Sequence, residues 1–215
     1  MIDPRLWERL KSRARKFYEE NGGSHRMDHV ERVIALAEKL AREEGADLEV
    51  VKVAALLHDI GRGEEARSRG QVCHACYGAE LARKILEEEG LSPEFIERVV
   101  CAIRRHRFRG KEVPESLEEK VLFDADKLDS LGAVGIGRAF LFAGEVGARL
   151  HNPEVDLEKT EPYSSEDTAW REFKLKLSRI KDRMLTAGGR RLAEERHRFM
   201  EEFFERLHRE IRGEC

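Results

Sequence analysis

Residues 48–61 read Leu48-Glu49-Val50-Val51-Lys52-Val53-Ala54-Ala55-Leu56-Leu57-His58-Asp59-Ile60-Gly61. Asp47 stands before this stretch as a helix N-cap. Leu48, Val51, Ala54, Ala55 and Leu57 follow the 3.6-residue period of a helix rather than the two-residue period of a strand. His58 continues the apolar stripe, so it points inward, and Asp59 follows where the helix turns toward Gly61. A histidine and a carboxylate side by side at the end of an apolar helix are costly to bury unless something pairs with them.

The same period recurs on both sides. Asp3-Pro4 opens a first helix to about residue 20, ended by Asn21-Gly22-Gly23. A second helix runs from about Met27 to Glu44 on Val30, Val33, Ile34, Ala37, Leu40 and Ala41, and Gly45 stops it. After the helix that ends at His58, residues 62–71 read as loop. Helices follow over about 74–89, 93–107 and from 116 past 142 with breaks at glycines. Two more cover about 165–184 and 190–212, with Gly188-Gly189 between them. No segment alternates long enough for a strand. The expected fold is therefore all-α, a single compact bundle of about eight helices. Its one domain spans 1–215, with a core over 24–147 and a C-terminal helical extension over 165–212.

Composition supports that class. Charged residues make up 39% of the 215, against the usual quarter or so. With only five prolines, long helices are unobstructed. The net charge of −3 and the interleaving of basic with acidic residues give no basic stripe for nucleic acid. No apolar run reaches the roughly 18 residues of a membrane span. The charged N-terminal residues lack the apolar core of a signal peptide, so a cytoplasmic protein with reduced thiols is expected. Cys73-His74-Ala75-Cys76 resembles half of a zinc site, but a structural zinc needs four ligands and no second pair exists. These cysteines read as small, half-buried helix residues.

Three further features turn His58-Asp59 into a candidate site. His29 lies four residues before Val33, near the buried side of the second helix. Phe123-Asp124-Ala125-Asp126-Lys127-Leu128-Asp129 sets three aspartates into an otherwise apolar helix, which packing does not explain. Asp126 is placed inward, and one or two of the others are expected to face solvent or cap neighbouring groups. A divalent ion would partner His29, His58, Asp59 and Asp126, and mixed imidazole and carboxylate ligands suit transition metals better than calcium.

Taken together, these segments resemble the HD-domain superfamily, over nearly the whole chain. Ser24-His25 with Asp28-His29-Val30 and Arg32-Val33 is similar to its first histidine helix. Leu56-Leu57-His58-Asp59-Ile60-Gly61 is similar to its His-Asp motif. Asp124 to Asp129, with Leu131-Gly132-Ala133 and Gly135-Ile136-Gly137-Arg138, resembles a subgroup of small stand-alone members. The resemblance implies an all-helical fold with the metal between helices. It implies hydrolysis of a small phosphate ester or anhydride by metal-activated water, with nucleotides as the leading substrate class. His29, His58, Asp59 and Asp126 become the metal ligands, for one divalent ion (Mn, Mg, Fe, Ni, Co or Zn) with two ions as the alternative. Asp59 is also assigned to orient or deprotonate the water. His74 and His106 stand where relatives hold a second metal, or would contact phosphate or water. Lys127 and Arg62 are candidate phosphate binders, and Asp129 would support Lys127 or a ligand histidine. Two alternatives remain open: a di-iron oxygenase of the same superfamily and a non-catalytic nucleotide-binding protein. The expected partner is a small phosphate compound, with no membrane or nucleic acid, and a homodimer is left open.

Overall fold

In a computed structural model of the protein, residues 2–19, 26–107, 112–152 and 155–215 are described. Among these residues there is no strand, and ten α-helices occur with three short 3-10 turns. The all-α expectation holds. The chain divides into two compact units, Met1–Asp126 and Lys127–Cys215. No helix of the described residues is long and apolar enough to cross a membrane.

The first unit contains α1 (Pro4–Glu19), α2 (Met27–Glu44), α3 (Leu48–Leu57), α4 (Arg62–Arg67), α5 (His74–Glu88), α6 (Pro93–Arg105) and most of α7 (Leu117–Leu128). In α1, Leu10, Ala14 and Tyr18 are buried at a four-residue spacing, one stripe down the helix. In α2 the buried stripe is His29, Val30, Val33, Ala37, Leu40 and Ala41. Gly45 ends it with φ +79° and sends its N–H back to the Ala41 carbonyl, a left-handed cap that favours glycine. The Asp47 carboxylate caps α3, accepting from the Glu49 and Val50 N–H groups at 3.1 and 3.3 Å.

Helix α3 is buried on nearly every side: Val50, Val51 and Val53 through Leu57 are all inside. A ten-residue helix so apolar can exist only as the centre of the unit, and it packs against α1, α2 and α6. Helix α6 begins with Ser92 accepting from Phe95 N–H at 3.3 Å and Pro93 in the first turn, as its sequence predicts.

The stretch expected to be loop after Gly61 forms α4 instead. Its first turn carries Glu64 and Glu65, which suit a helix start, and Ser68 N–H closes it on the Glu64 carbonyl at 2.9 Å. Gly61 and Gly78 let this turn lie directly on α5. A Cβ on Gly61 would stand 2.2 Å from the His74 carbonyl oxygen and 2.8 Å from Gly78 N. The close approach places α4 beside the start of α5.

The second unit holds α8 (Gly132–Glu145), α9 (Ala169–Leu175) and α10 (Ala187–Ile211). Helix α8 packs on α9 and α10. The helix expected over 165–184 is broken: Thr168 caps α9, and 3-10 turns occupy 177–179 and 181–183. A 3-10 turn aligns positions i and i+3, and Leu177 and Ile180 are both buried there. Gly188 and Gly189, expected to separate two helices, lie buried in the first turn of α10, where Thr186 accepts the Gly189 N–H at 2.9 Å. The proposed stop at Asn21-Gly22-Gly23 and the Ser24-His25 pair lie outside the described residues.

Candidate metal centre

The structure brings His29, His58, Asp59, His74, His106 and Asp126 together inside the first unit. His29, His58, Asp59 and His106 are wholly buried, and His74 and Asp126 nearly so. Three of these side chains come from helix ends that the sequence itself dictates. His58 follows the last turn of α3, His106 follows the last turn of α6, and His74 opens α5. His29 sits in the first turn of α2, and Asp126 lies near the end of α7.

Around one side of Asp59, His29 Nε2 stands 3.8 Å and His58 Nε2 3.5 Å from Oδ2. The same two nitrogens are 3.5 and 3.9 Å from Asp126 Oδ1, and 3.3 Å from each other. Around the other side, His74 Nε2 and His106 Nε2 are both 3.5 Å from Asp59 Oδ1 and 3.4 Å apart. Three overlapping groups could therefore hold an ion: His29-His58-Asp59, His58-His106-Asp126 and Asp59-His74-His106.

The far ring nitrogens explain why the near ones converge. His58 Nδ1 lies 2.8 Å from the Ala55 carbonyl, and His106 Nδ1 is bonded to the Ile103 carbonyl. A carbonyl only accepts, so both Nδ1 atoms carry a proton, and a neutral ring then presents its lone pair at Nε2. His74 Nδ1 is held in the same sense by the Glu65 carboxylate at 2.8 Å. Burial pushes the His58 imidazole down to about 3, against the pull of Asp59 and Asp126. Burial, aided by the Arg62 charge, pushes His74 down to about 4. Both are neutral near pH 7. Bare lone pairs and carboxylates facing one another in a buried space repel unless a cation lies among them. The donor set, nitrogen and oxygen together, fits a divalent transition metal.

Arg62 sits at the rim of this cluster. It donates from Nε to Asp59 Oδ1 at 2.9 Å and from Nη1 to Glu65 Oε2 at 3.2 Å. Burial lowers its pKa, but Asp59, Asp126 and Glu65 outweigh that and leave it raised. Tyr18 supports the cluster from below. Its buried hydroxyl donates to the Leu56 carbonyl at 2.9 Å and accepts the Asp59 N–H at 3.3 Å, which fixes the turn after α3. Burial and the nearby Asp59 charge raise the Tyr18 pKa well above its ordinary value.

Sequence reading does not find Tyr18 or Glu65. Tyr18 lies on the buried stripe of α1 and looks like packing, although a buried tyrosine hydroxyl always needs a partner. Glu65 is one charge among many in a polar stretch. The three aspartates of 124–129 are all buried, so none of them faces solvent. Asp129 belongs to the second unit, where it accepts from Arg138 Nη1 at 2.8 Å. Lys127 is half-buried in the last turn of α7 and opens that unit.

Comparison with known proteins gives four results. The HD domain family model matches residues 26–131, which include all six clustered residues. The protein YpgQ of Bacillus subtilis is 35% identical over 210 residues, covering 96% of this chain and 94% of YpgQ. The crystal structure of YpgQ in complex with ADP superposes with a TM-score of 0.73 at 31% identity, covering 97% of this chain and 99% of that one. An HD-superfamily hydrolase from Bacillus thuringiensis superposes with a TM-score of 0.75 at 29% identity, covering 95% and 96% of the two chains.

Proposed function

The chain belongs to the HD-domain superfamily, and from that premise we propose that it hydrolyses a nucleotide, a nucleoside phosphate ester or anhydride, with one divalent ion at His29, His58, Asp59 and Asp126. Membership makes it a metal-dependent phosphohydrolase in general. The observation that carries the site assignment is the convergence of His29 Nε2 and His58 Nε2 on Asp59 Oδ2 and Asp126 Oδ1, all within 3.9 Å, with His58 held through Nδ1 on the Ala55 carbonyl. The nucleotide is supported by the ADP held by YpgQ, whose structure matches 97% of this chain.

A divalent ion held there supplies Lewis acidity toward a phosphoryl oxygen and makes a bound water more acidic. The protein residues do the rest. Asp59 faces two ways, with Oδ2 toward His29 and His58 and Oδ1 toward His74 and His106. His74 is neutral and held through Nδ1, so its Nε2 can accept a hydrogen bond from a water placed beside Asp59, and His106 Nε2 faces the same oxygen. Positive charge for the phosphoryl oxygens comes from Arg62. Its bond to Asp59 Oδ1 also occupies the oxygen that a second ion between His74 and His106 would need, which favours one ion. The Asp59-His74-His106 group supports the two-ion reading, and a di-iron enzyme would displace Arg62 from Asp59.

The test is a nucleotide panel assayed after metal removal, with Mn, Mg, Co, Ni and Fe(II) restored singly. Turnover should return with metal and fall by at least about a thousandfold in Asp59→Ala, the scale at which a central catalytic group is lost. Phosphate release would identify a phosphatase and pyrophosphate release a pyrophosphohydrolase. Metal bound by the wild type without hydrolysis of any nucleotide would overturn the proposed substrate class.

A further inference from the structure

Cys73 and Cys76 stand outside the reaction just described, and their placement gives them a chemistry of their own. Cys73 is the N-cap of α5, with extended backbone (φ −74°, ψ 116°), and Cys76 is the third residue of the helix. The Tyr77 N–H closes that first turn on the Cys73 carbonyl at 3.0 Å. Side chains three positions apart on a helix turn are neighbours, with Cβ atoms about 5–6 Å apart. A disulfide asks for Cα atoms about 4.4–6.8 Å apart, a span that one helical turn provides. Cys76 is exposed and Cys73 half-buried, so the pair is open to small molecules from the Cys76 side.

The surroundings of Cys73 are electropositive. Arg107 Nη1 donates to its sulfur at 3.3 Å, while Nη2 of the same guanidinium pairs with Glu65 Oε1 at 3.2 Å. The arginine is thus held from two sides with one edge on the sulfur. The other cysteines lack this arrangement: Cys101 bonds to the Glu97 carboxylate at 3.5 Å, and Cys215 is exposed at the C-terminus.

We propose that Cys73 and Cys76 form a redox-active dithiol site whose co-reactant is a low-molecular-weight disulfide. Cys73 gives its proton to solvent, its sulfur attacks one sulfur of the small disulfide, and the other half leaves as a thiolate that takes a proton from solvent. Cys76 gives its proton to solvent, and its sulfur attacks Cys73 and expels the second small thiolate. Both protein thiols are oxidised to one internal disulfide, and the small disulfide is reduced to two thiols. This inference does not depend on the nucleotide reading.

The test uses the full-length protein in glutathione buffers of graded oxidation, followed by thiol alkylation and peptide mass mapping. Cys73 and Cys76 should appear as an internal disulfide, exceeding any glutathione adduct at either position by more than about tenfold because the second thiol acts within the same turn. Cys76→Ser should trap a stable glutathione adduct on Cys73. Exposed Cys215 is the internal control. If Cys73 and Cys76 stay as thiols in buffers that modify Cys215, the proposal is overturned. It is equally overturned if the wild type keeps stable adducts at these positions without linking them.

Discussion

His58 has its ring wholly inside the protein, with its proton on Nδ1 and its ionisation pushed down to about 3. In the unfolded chain the same group would ionise near its ordinary value of 6.5. Between these values the unfolded chain binds a proton that the folded chain does not, so stability is full above about pH 6.5 and falls as pH drops toward 3. His74, pushed down to about 4, adds to the loss over most of the same window. The slope reaches about 1.4 kcal/mol per pH unit for each histidine. Urea midpoints of the metal-free protein at pH 7.5, 5.5 and 4.5 should decrease in that order, and a midpoint that does not move would contradict the burial of neutral imidazoles. Glu65 supports a second prediction. It holds His74 Nδ1 without reaching the cluster's centre itself. Glu65→Ala should lower metal-dependent turnover by about 10–100-fold with helicity unchanged, the usual cost of losing an outer partner of a site histidine. Glu65→Gln, which keeps an acceptor for Nδ1, should recover part of it. Circular dichroism and steady-state rates measured on the same samples separate this from unfolding.

At the scale of elements, the turn between α3 and α5 is the most constrained. A methyl group on Gly61 would collide with backbone atoms of His74 and Gly78, and backbone cannot rotate away. Gly61→Ala should cost about 1–3 kcal/mol or more, the range of overpacked cores, whereas Gly78→Ala meets its nearest atom only at 3.3 Å and should cost less. Thermal melts of the two variants test that ranking, and equal melting points would refute the close contact. The elements also mark what the sequence makes legible. His29, His58, Asp59 and Asp126 can be read because each interrupts an apolar stripe whose period fixes its direction. Glu65, Tyr18 and Arg107 cannot, because their roles depend on partners from other helices that local pattern does not register. The α9 region failed for a related reason. Its residues have ordinary helix preference, and the burial of Leu177 and Ile180 decides for 3-10 turns. At the start of α10 two glycines suggest a linker, while the Thr186 cap and burial make them part of a helix.

At the scale of the molecule, a divalent ion among His29, His58, Asp59 and Asp126 would tie three helical segments of the first unit, α2, the end of α3 and α7, to one point. Binding to the folded form alone stabilises it by about 2.7 kcal/mol at a free ion concentration one hundred times the dissociation constant. Manganese should therefore raise the denaturation midpoint of chelator-treated protein, and Asp59→Ala should lose the increment. A wild-type midpoint indifferent to manganese and to every other ion in the panel would argue against the centre. The first unit is assembled largely from helices that follow one another in the chain, as with α2 on α3 and α5 on α6. The clustered side chains are not local in this way: they run from position 29 to position 126. During synthesis, the early helices can pair while Asp126 has yet to leave the ribosome. A nascent or half-folded chain thus carries the helices without the complete ligand set. On the proposed ligand assignment, its hydrolytic chemistry would stay silent until the last member arrives, and phosphate compounds would not be exposed to an unfinished catalyst.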